Sequence, residues 1–525
     1  MADFWSMVGL VFKSMFVAGE TVDDDSLPIK GLAKPENICL YAIAPFAANA
    51  PSGTAALDPF GQWLQKVLSD IPETAAVALD RHIVVNTDVA DPFLGIREAN
   101  SGALNQARRQ DASAVFWGRN NAEARLLDVH FINDTLNLPL YELLMPLVHS
   151  FRQPQHKDTA AAMRVLLVCE MLSQARGHDR RALQIAQLVS HIEDFQERIK
   201  NGEYFTDVGQ GVATAYALGV VMLAETGERS YCVTAIRVLK PIVRNILKKI
   251  GEQPKEAKPE QKATGLLNQR AALPQATGTV TKIEDLLRNV ADLALIDPKK
   301  SAILALYGTL LNWSMISNMN AGSAKEAIGI WKLLERRFEL MAGTPVSRAV
   351  AIAKLGEAMM IHAKEIDDIE TVEAANGHCR RALALINSRA HTVLYAQTAY
   401  GLAETVVAHS TISGISIPSE QVIPVFQAAL KVCSRRDNPY LWGRAMFALG
   451  SVQFSVGASD KDIKLIGQAR MNFSQAYDAF DEAGARGAAR AASSSYTRSE
   501  NIMHQLEQRQ SIIDATGGAS EAKAS

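Results

Sequence analysis

The chain has 525 residues, 48% of them hydrophobic and 21% charged, with a formal net charge of −2. That length allows several domains or one long helical array, and the charge lacks the basic excess of a nucleic-acid binder. Only 6% of residues are aromatic, while alanine, leucine and isoleucine are abundant, which favours helices packed through small residues over a β-rich fold.

Residues 1–20 read as an amphipathic helix with Phe4, Trp5, Val8, Phe12, Met15 and Phe16 mostly on one side. The segment lacks a basic start and carries Asp3, so it makes a poor secretory signal. Three occupants suit its stripe: the body of the same protein, a partner protein, or a membrane surface. Lys13 is its only cation, so attraction to anionic lipid is weak. No run reaches the roughly 20 apolar residues of a membrane-spanning helix, and the expected location is the cytoplasm, peripheral to the inner membrane if that helix meets one. Trp5 and Phe12 are its candidate contact residues.

Residues 21–37 form an acidic loop around Asp23-Asp24-Asp25. The pattern then changes over residues 38–135. Residues 38–46 read as a buried strand, 60–71 as a helix, 76–85 as a strand, 95–110 as a polar helix, and 113–121 and 124–134 as a hairpin. The result is a small β-α-β-α-β-β domain. The residues Ile43-Ala44-Pro45-Phe46 and Val115-Phe116-Trp117-Gly118, with Arg119, give this segment a resemblance to the amino-terminal domain of TolB and its relatives. There an "AVLPF" strand leads into a helix, and a later strand with a glycine begins a hairpin. The chain departs from that pattern in having no secretory signal and no following β-propeller repeats. The resemblance therefore implies the combination of a TolB-like domain with tetratricopeptide repeats seen in some bacterial signalling proteins.

Residues 136–250 carry a first set of helical repeats. Residues 251–282, rich in Lys, Glu, Gln, Pro and Ala, read as a flexible linker. A second set runs over 283–513, and 514–525 read as a disordered tail. Within the repeats a bulky residue and a glycine recur in one helix, with alanines where the next helix crosses. Leu218-Gly219 is followed by Ala235, Tyr307-Gly308 by Ala324, Ala327 and Trp331, and Leu355-Gly356 by Ala375, Cys379 and Ala382; Tyr400-Gly401 precedes Phe426 and Ala429, and Leu449-Gly450 precedes Ala469, Phe473 and Ala476. This resembles the tetratricopeptide repeat, whose standard length is about 34 residues. Several units here are longer, which expanded turns at 365–371, 411–420 and 456–462 would explain. The expected fold is mainly α: an α-solenoid of antiparallel helix pairs preceded by the small α/β domain.

No catalytic spacing stands out. The chain has no Walker A sequence, no H-E-x-x-H, no paired C-x-x-C and no G-x-S-x-G elbow. Cys39, Cys169, Cys232, Cys379 and Cys433 are far apart and read as reduced core thiols. Gly209-Gln210-Gly211 reads as a helix-initiating turn, and His362, His378 and Cys379 as packing or surface groups. Arg81, His82, Asp88, Asp91 and Arg97 are the polar cluster that an unconventional active site would use. The favoured reading is a scaffold that is no enzyme, needs no cofactor or metal, and holds other proteins, with an oligomer compatible with the pattern. Its candidate anchors are Trp313, Trp331, Tyr400, Tyr440 and Trp442, together with Arg380 and Arg381, since aromatic and arginine side chains dominate binding energy at interfaces. The alternative is a regulatory subunit of a bacterial signalling system.

Overall fold

A computed structural model describes residues 38–46, 57–86, 88, 92–121, 126–133, 141–144, 146–152, 156–175, 178–201, 208–251, 296–318, 321–341, 345–414, 419–436 and 438–521. The predicted helix over 1–20, the acidic loop and nearly all of the predicted linker lie outside these residues.

The amino-terminal part is a small mixed sheet with helices on both faces. Its elements are β1 (Cys39–Ile43), α1 (Pro59–Leu68), β2 (Thr74–Ala78), α2 (Pro92–Arg109), β3 (Ala114–Asn121), β4 (Leu126–Asn133), the short α3 (Tyr141–Leu144) and β5 (His149–Phe151). The strand order is β2-β1-β3-β4-β5. β1 pairs in parallel with β2 and β3, and β3, β4 and β5 run antiparallel, with Trp117 opposite His130 and Val129 opposite His149. The β-α-β-α-β-β order expected from the sequence is present, with two differences. β2 ends at Ala78, and residues 79–86 form a loop rather than the rest of a strand; its His82 Nδ1 lies 2.7 Å from the Pro45 carbonyl oxygen and pins the loop to the end of β1. β5 adds a fifth strand that three residues are too few to announce by alternation.

Local chemistry fixes this sheet. Asp58 caps α1 by accepting from the Gly61 amide at 2.8 Å, and its other oxygen accepts from the Phe46 amide at 3.0 Å, so one carboxylate joins the end of β1 to the start of α1. A Cβ on Gly118 would lie 1.9 Å from the Asp128 carbonyl oxygen, so the hairpin closes there only around glycine. One face of the sheet buries Ala42, Val115, Trp117 and Ile132 against Ala99, Ala103 and Ala107 of α2. The other buries Tyr41, Ile43, Phe116, Leu127 and Val129, and this core continues unbroken into the helices that follow, as far as Leu394.

Those helices are α4 (Lys157–Gln174), α5 (His178–Lys200), α6 (Gln210–Glu225), α7 (Cys232–Gly251), α8 (Pro298–Asn318), α9 (Ala321–Leu340), α10 (Pro345–Ile366), α11 (Ile369–Leu385), α12 (Thr392–Ser413), α13 (Ser419–Val432), α14 (Pro439–Asp460), α15 (Ile463–Glu482) and α16 (Arg486–Glu521). Each packs on its neighbours in the chain. In addition α4, α6, α8, α10, α12, α14 and α16 touch one another in succession, and the helices between them do so less. The array therefore curves toward the first row, which is called the inner row below.

Small residues sit where helices cross, as their spacing suggests. A Cβ on Gly308 would lie 2.8 Å from the Trp331 ring, and one on Gly450 would lie 3.0 Å from the Phe473 ring. Two of the three expanded turns are a different matter, and the third, 411–420, lies partly outside the described residues. α10 ends at Ile366 and α11 begins at Ile369; α14 ends at Asp460 and α15 begins at Ile463. Asp367 and Lys461 take positive φ, 52° and 58°, and Asp368 and Asp462 cap the helices that follow. The repeats are longer because their helices are longer. The carboxy-terminal residues also differ from expectation. α16 continues through 514–521, an extension of a helix already nucleated upstream in spite of Gly517 and Gly518, which are weak helix formers.

Candidate functional site

The inner row carries an unexpected concentration of charge and aromatic rings. Glu225 ends α6, Arg229 lies in the turn after it, and Asn312 and Trp313 sit on α8. Lys354 and Glu357 are one turn apart on α10, Tyr400 and Glu404 on α12, and Tyr440 and Arg444 on α14, so each pair shares a helix face. Trp313 is the centre. It is only 1% exposed, yet the guanidinium of Arg229 lies 4.5 Å from its ring centroid, that of Arg444 at 5.8 Å and the Lys354 ammonium at 5.8 Å. Arg444 also lies 4.6 Å from the Tyr400 ring and 6.0 Å from that of Tyr440. Rings and cations attract at these distances.

The carboxylates complete the floor. Lys354 Nζ donates to Glu357 at 2.8 Å, and Asn312 Nδ2 donates to the Lys354 carbonyl at 3.1 Å and to Glu357 at 3.3 Å. Asn312 is itself oriented by Trp331 Nε1, which donates to its Oδ1 at 3.2 Å. Lys364 Nζ donates to Glu404 at 3.3 Å. Burial opposes ionisation of Glu357, but Lys354 with its hydrogen bond, Arg444 and Asn312 outweigh it and hold its carboxyl below the ordinary range. Burial dominates at Glu225 and pushes its carboxyl up, although Lys354, Arg444 and Arg229 pull the other way. Arg444 loses solvation and still holds its proton more firmly than usual, because Tyr400, Tyr440, Glu357 and Glu404 surround it. Beside this floor is a small, partly open hollow of about 40 Å³, with Val350, Met360 and Leu394 as apolar wall and Lys354, Gln397 and Arg444 as polar lining.

The inner row also closes on itself. Arg229 Nη2 donates to Tyr440 Oη at 2.6 Å across 211 residues of chain. A Cβ on Gly227 would lie 3.2 Å from that of Ala485, and one on Gly484 would lie 2.8 Å from Ile185 Cδ1. α5 and α15 touch as well. The first described turns of the array thus meet its last.

The residues singled out from sequence fall in several places. Trp331 is fully buried, Trp313 nearly so, and Tyr440 is 6% exposed; Trp313 and Tyr440 belong to the inner floor, and Trp331 lies in the layer behind it. The two tryptophans are core and offer no side-chain surface to a partner. Tyr400 is half-buried in the same floor. Trp442 is half-buried under Arg435, 5.9 Å from its ring, and Arg435 Nε donates to Glu482 at 2.9 Å. Arg381 is exposed on α11 and pairs with Glu335 of α9 at 2.6 Å. Arg380 is half-buried, burial pushes its pKa down, and its Nε and Nη2 have no hydrogen-bond partner among the described residues. The arginine pair is therefore on the outer row, away from the aromatic floor. Trp5 and Phe12 lie outside the described residues.

Arg229, Lys354, Glu357, Arg444 and Glu225 escaped the sequence reading, which weighed charge pairs and exposed aromatics. Their signal is the reverse: lone charges inside otherwise apolar helices, as in AIAKLGEAMM of α10.

A second polar group joins the sheet to the array. His149 Nδ1 lies 2.8 Å from Thr214 Oγ1 of α6, Ser150 Oγ donates to Asp128 at 2.5 Å, and Lys299 of α8 donates to the same carboxylate at 3.3 Å. The His130 ring stacks on Trp117 at 4.0 Å, and Trp117 Nε1 donates to Asn100 at 3.0 Å. Burial pushes His149 down to about 4, and burial with the nearby Lys299 and His149 pushes His130 down to about 3.

The polar cluster of an unconventional active site is described only in part. His82 is held by the Pro45 carbonyl, Arg97 lies on α2, and Asp91 is outside the described residues. Burial pushes the Cys379 thiol up to about 12. Among the described residues no group of three His, Cys, Asp or Glu side chains could hold a metal ion, and no helix is long and apolar enough to cross a membrane. Compared with known proteins, the chain matches no family model and no curated protein significantly.

Proposed function

We propose that this protein is a non-enzymatic scaffold whose helical array receives a segment of another protein along its inner row. The observation that carries the reading is the floor in which the half-buried Tyr400, Arg229 and Arg444 lie over the buried Trp313, Lys354 and Tyr440. Rigid rings cost little conformational entropy on binding, and oriented charges supply specificity. In this reading the array is an α-solenoid of tetratricopeptide-like helix pairs, and the sheet is a TolB-like head that docks a further partner. The setting is the cytoplasm of a bacterium, with residues 1–20 reaching a membrane or a membrane-bound assembly. A regulatory subunit of a signalling system is the second reading. It is favoured by the core that the sheet shares with the helices, since a partner on the head would then act on the array through packed side chains.

The test is recovery of cross-linked partners from the native cell with the full chain and with Arg444→Gln. A partner set recovered with the wild type and depleted at least about tenfold, or 1.4 kcal/mol, by Arg444→Gln at unchanged helix content supports the reading. Equal recovery with both chains refutes it.

A further inference from the structure

The closure between the first and last turns differs physically from every other joint of the array. Successive helices are joined by apolar cores, such as the one that runs from the sheet to Leu394 and the one that packs Val406 and Phe426 against Leu449. At the seam the two sides keep separate cores. Tyr440, Phe480 and Ala485 belong to a cluster confined to the carboxy-terminal helices, and no buried apolar cluster among the described residues spans to the other side. What crosses includes the Arg229–Tyr440 hydrogen bond, the Arg444 guanidinium 5.8 Å from the Trp313 ring, the Tyr440 ring against Gly227, and contacts of Gly227 and Gly484 with Ala485 and Ile185. Both glycines take positive φ, 98° and 75°, so the backbone turns sharply on each side to bring these small surfaces together.

The same Arg229 that bridges the seam covers Trp313 at the centre of the floor. An extended protein segment with its side chains is about 10 Å across, and the closed seam leaves no such width between Gly227 and Ala485. We infer that Arg229 and Tyr440 form the clasp of a gate: the array opens at this seam, and opening uncovers Trp313 together with the inner floor. The clasp is suited to this because releasing it frees the Arg229–Tyr440 hydrogen bond, lifts Arg444 from the Trp313 ring and exposes the Tyr440 ring with the small Gly227 and Ala485 surfaces, without dividing an apolar core that both sides share. This inference rests on the inner-row reading of function, in which a bound segment replaces Arg444 over Trp313.

Spin labels on Glu228→Cys and Arg486→Cys flank the seam at exposed positions. The native cysteines are free and buried, so the introduced thiols label selectively in the full chain. Electron-electron distance measurement is then made with the labelled chain alone, and with Arg229→Gln or Tyr440→Phe added. The expected result is one short, narrow distribution for the parent that lengthens by about 10 Å, the thickness of an extended segment, and broadens in either variant. Tyr440→Phe keeps the ring and removes only the hydroxyl, so it remains informative if Arg229→Gln folds poorly. A distribution unchanged in both variants overturns the gate and leaves the inner-row reading standing. Failure of the Arg444→Gln recovery test leaves the seam result untouched.

Discussion

At the scale of single residues, the structure separates side chains that hold the fold from those that face solvent in the inner row. Trp331 is the clearest of the first kind. Its ring fills the space over Gly308, and its Nε1 orients Asn312, which in turn holds Lys354 and Glu357 in place. Trp331→Phe keeps most of the packing and leaves Asn312 Oδ1 without its donor, which costs about 1–3 kcal/mol. Trp331→Ala adds a cavity and is expected to cost about 3–5 kcal/mol. Urea midpoints with unchanged slope would check both values. The buried histidines give a pH dependence. His149 has a folded-state value of about 4, below the ordinary 6.5, so the unfolded chain binds its proton first. Stability from this group is complete above about 6.5 and is lost as pH falls toward 4, with roughly 2 kcal/mol gone by pH 5. His130, pushed lower still, adds in the same direction. Unfolding midpoints at pH 7, 6 and 5 should fall progressively, and less steeply in His149→Asn.

At the scale of elements, what could be read from the sequence follows from which forces act locally. Gly118 entered the sequence reading only through a family resemblance, although a strand glycine marks a close backbone approach, here to Asp128. Gly308 and Gly450 were legible because a glycine beside bulky residues marks a crossing. The order of elements along the chain was legible up to β4, and β5 was not, because its pairing with β4 depends on Phe151 seating against Gly211 of α6, a contact that the chain makes only after folding. The two-residue turns were misread because Asp367 and Asp368 look like loop composition. Asp368 is instead an N-cap that accepts from the Glu370 amide at 3.2 Å and from Thr371 Oγ1. Asp368→Ala should therefore cost about 1 kcal/mol, measured as a lower thermal midpoint, whereas a loop aspartate would cost nothing measurable. The inner floor was legible only as isolated charges, since which charges meet is set by the curvature of the array and not by spacing along any one helix.

At the scale of the whole molecule, the sequence suggests a head followed by an array, and the structure joins them. Phe151 of β5 is fully buried, its ring packed where a Cβ on Gly211 would stand 2.7 Å away. Glu170 of α4, also fully buried, accepts from Asn133 of β4, from Ser173 Oγ at 3.2 Å and from Gln174, whose amide also meets Ser113. A buried carboxylate satisfied by donors from two segments is destabilised when either segment is removed, because the desolvation cost remains and the hydrogen bonds do not. Among the described residues the sheet face formed by Tyr41, Phe116 and Val129 shares its cover between α1 and the helices of the array, so removing the array leaves it half-covered. Residues 1–151 expressed alone should therefore fail to give the dispersed amide spectrum of a folded domain. The full chain should lose sheet and amino-terminal helix structure in one urea transition, followed by tryptophan fluorescence and far-ultraviolet dichroism together. Two separated transitions, the first accompanied by loss of the signal from Trp117 alone in a single-tryptophan variant, would mean that the head is an independent unit and that the shared core contributes little to its stability.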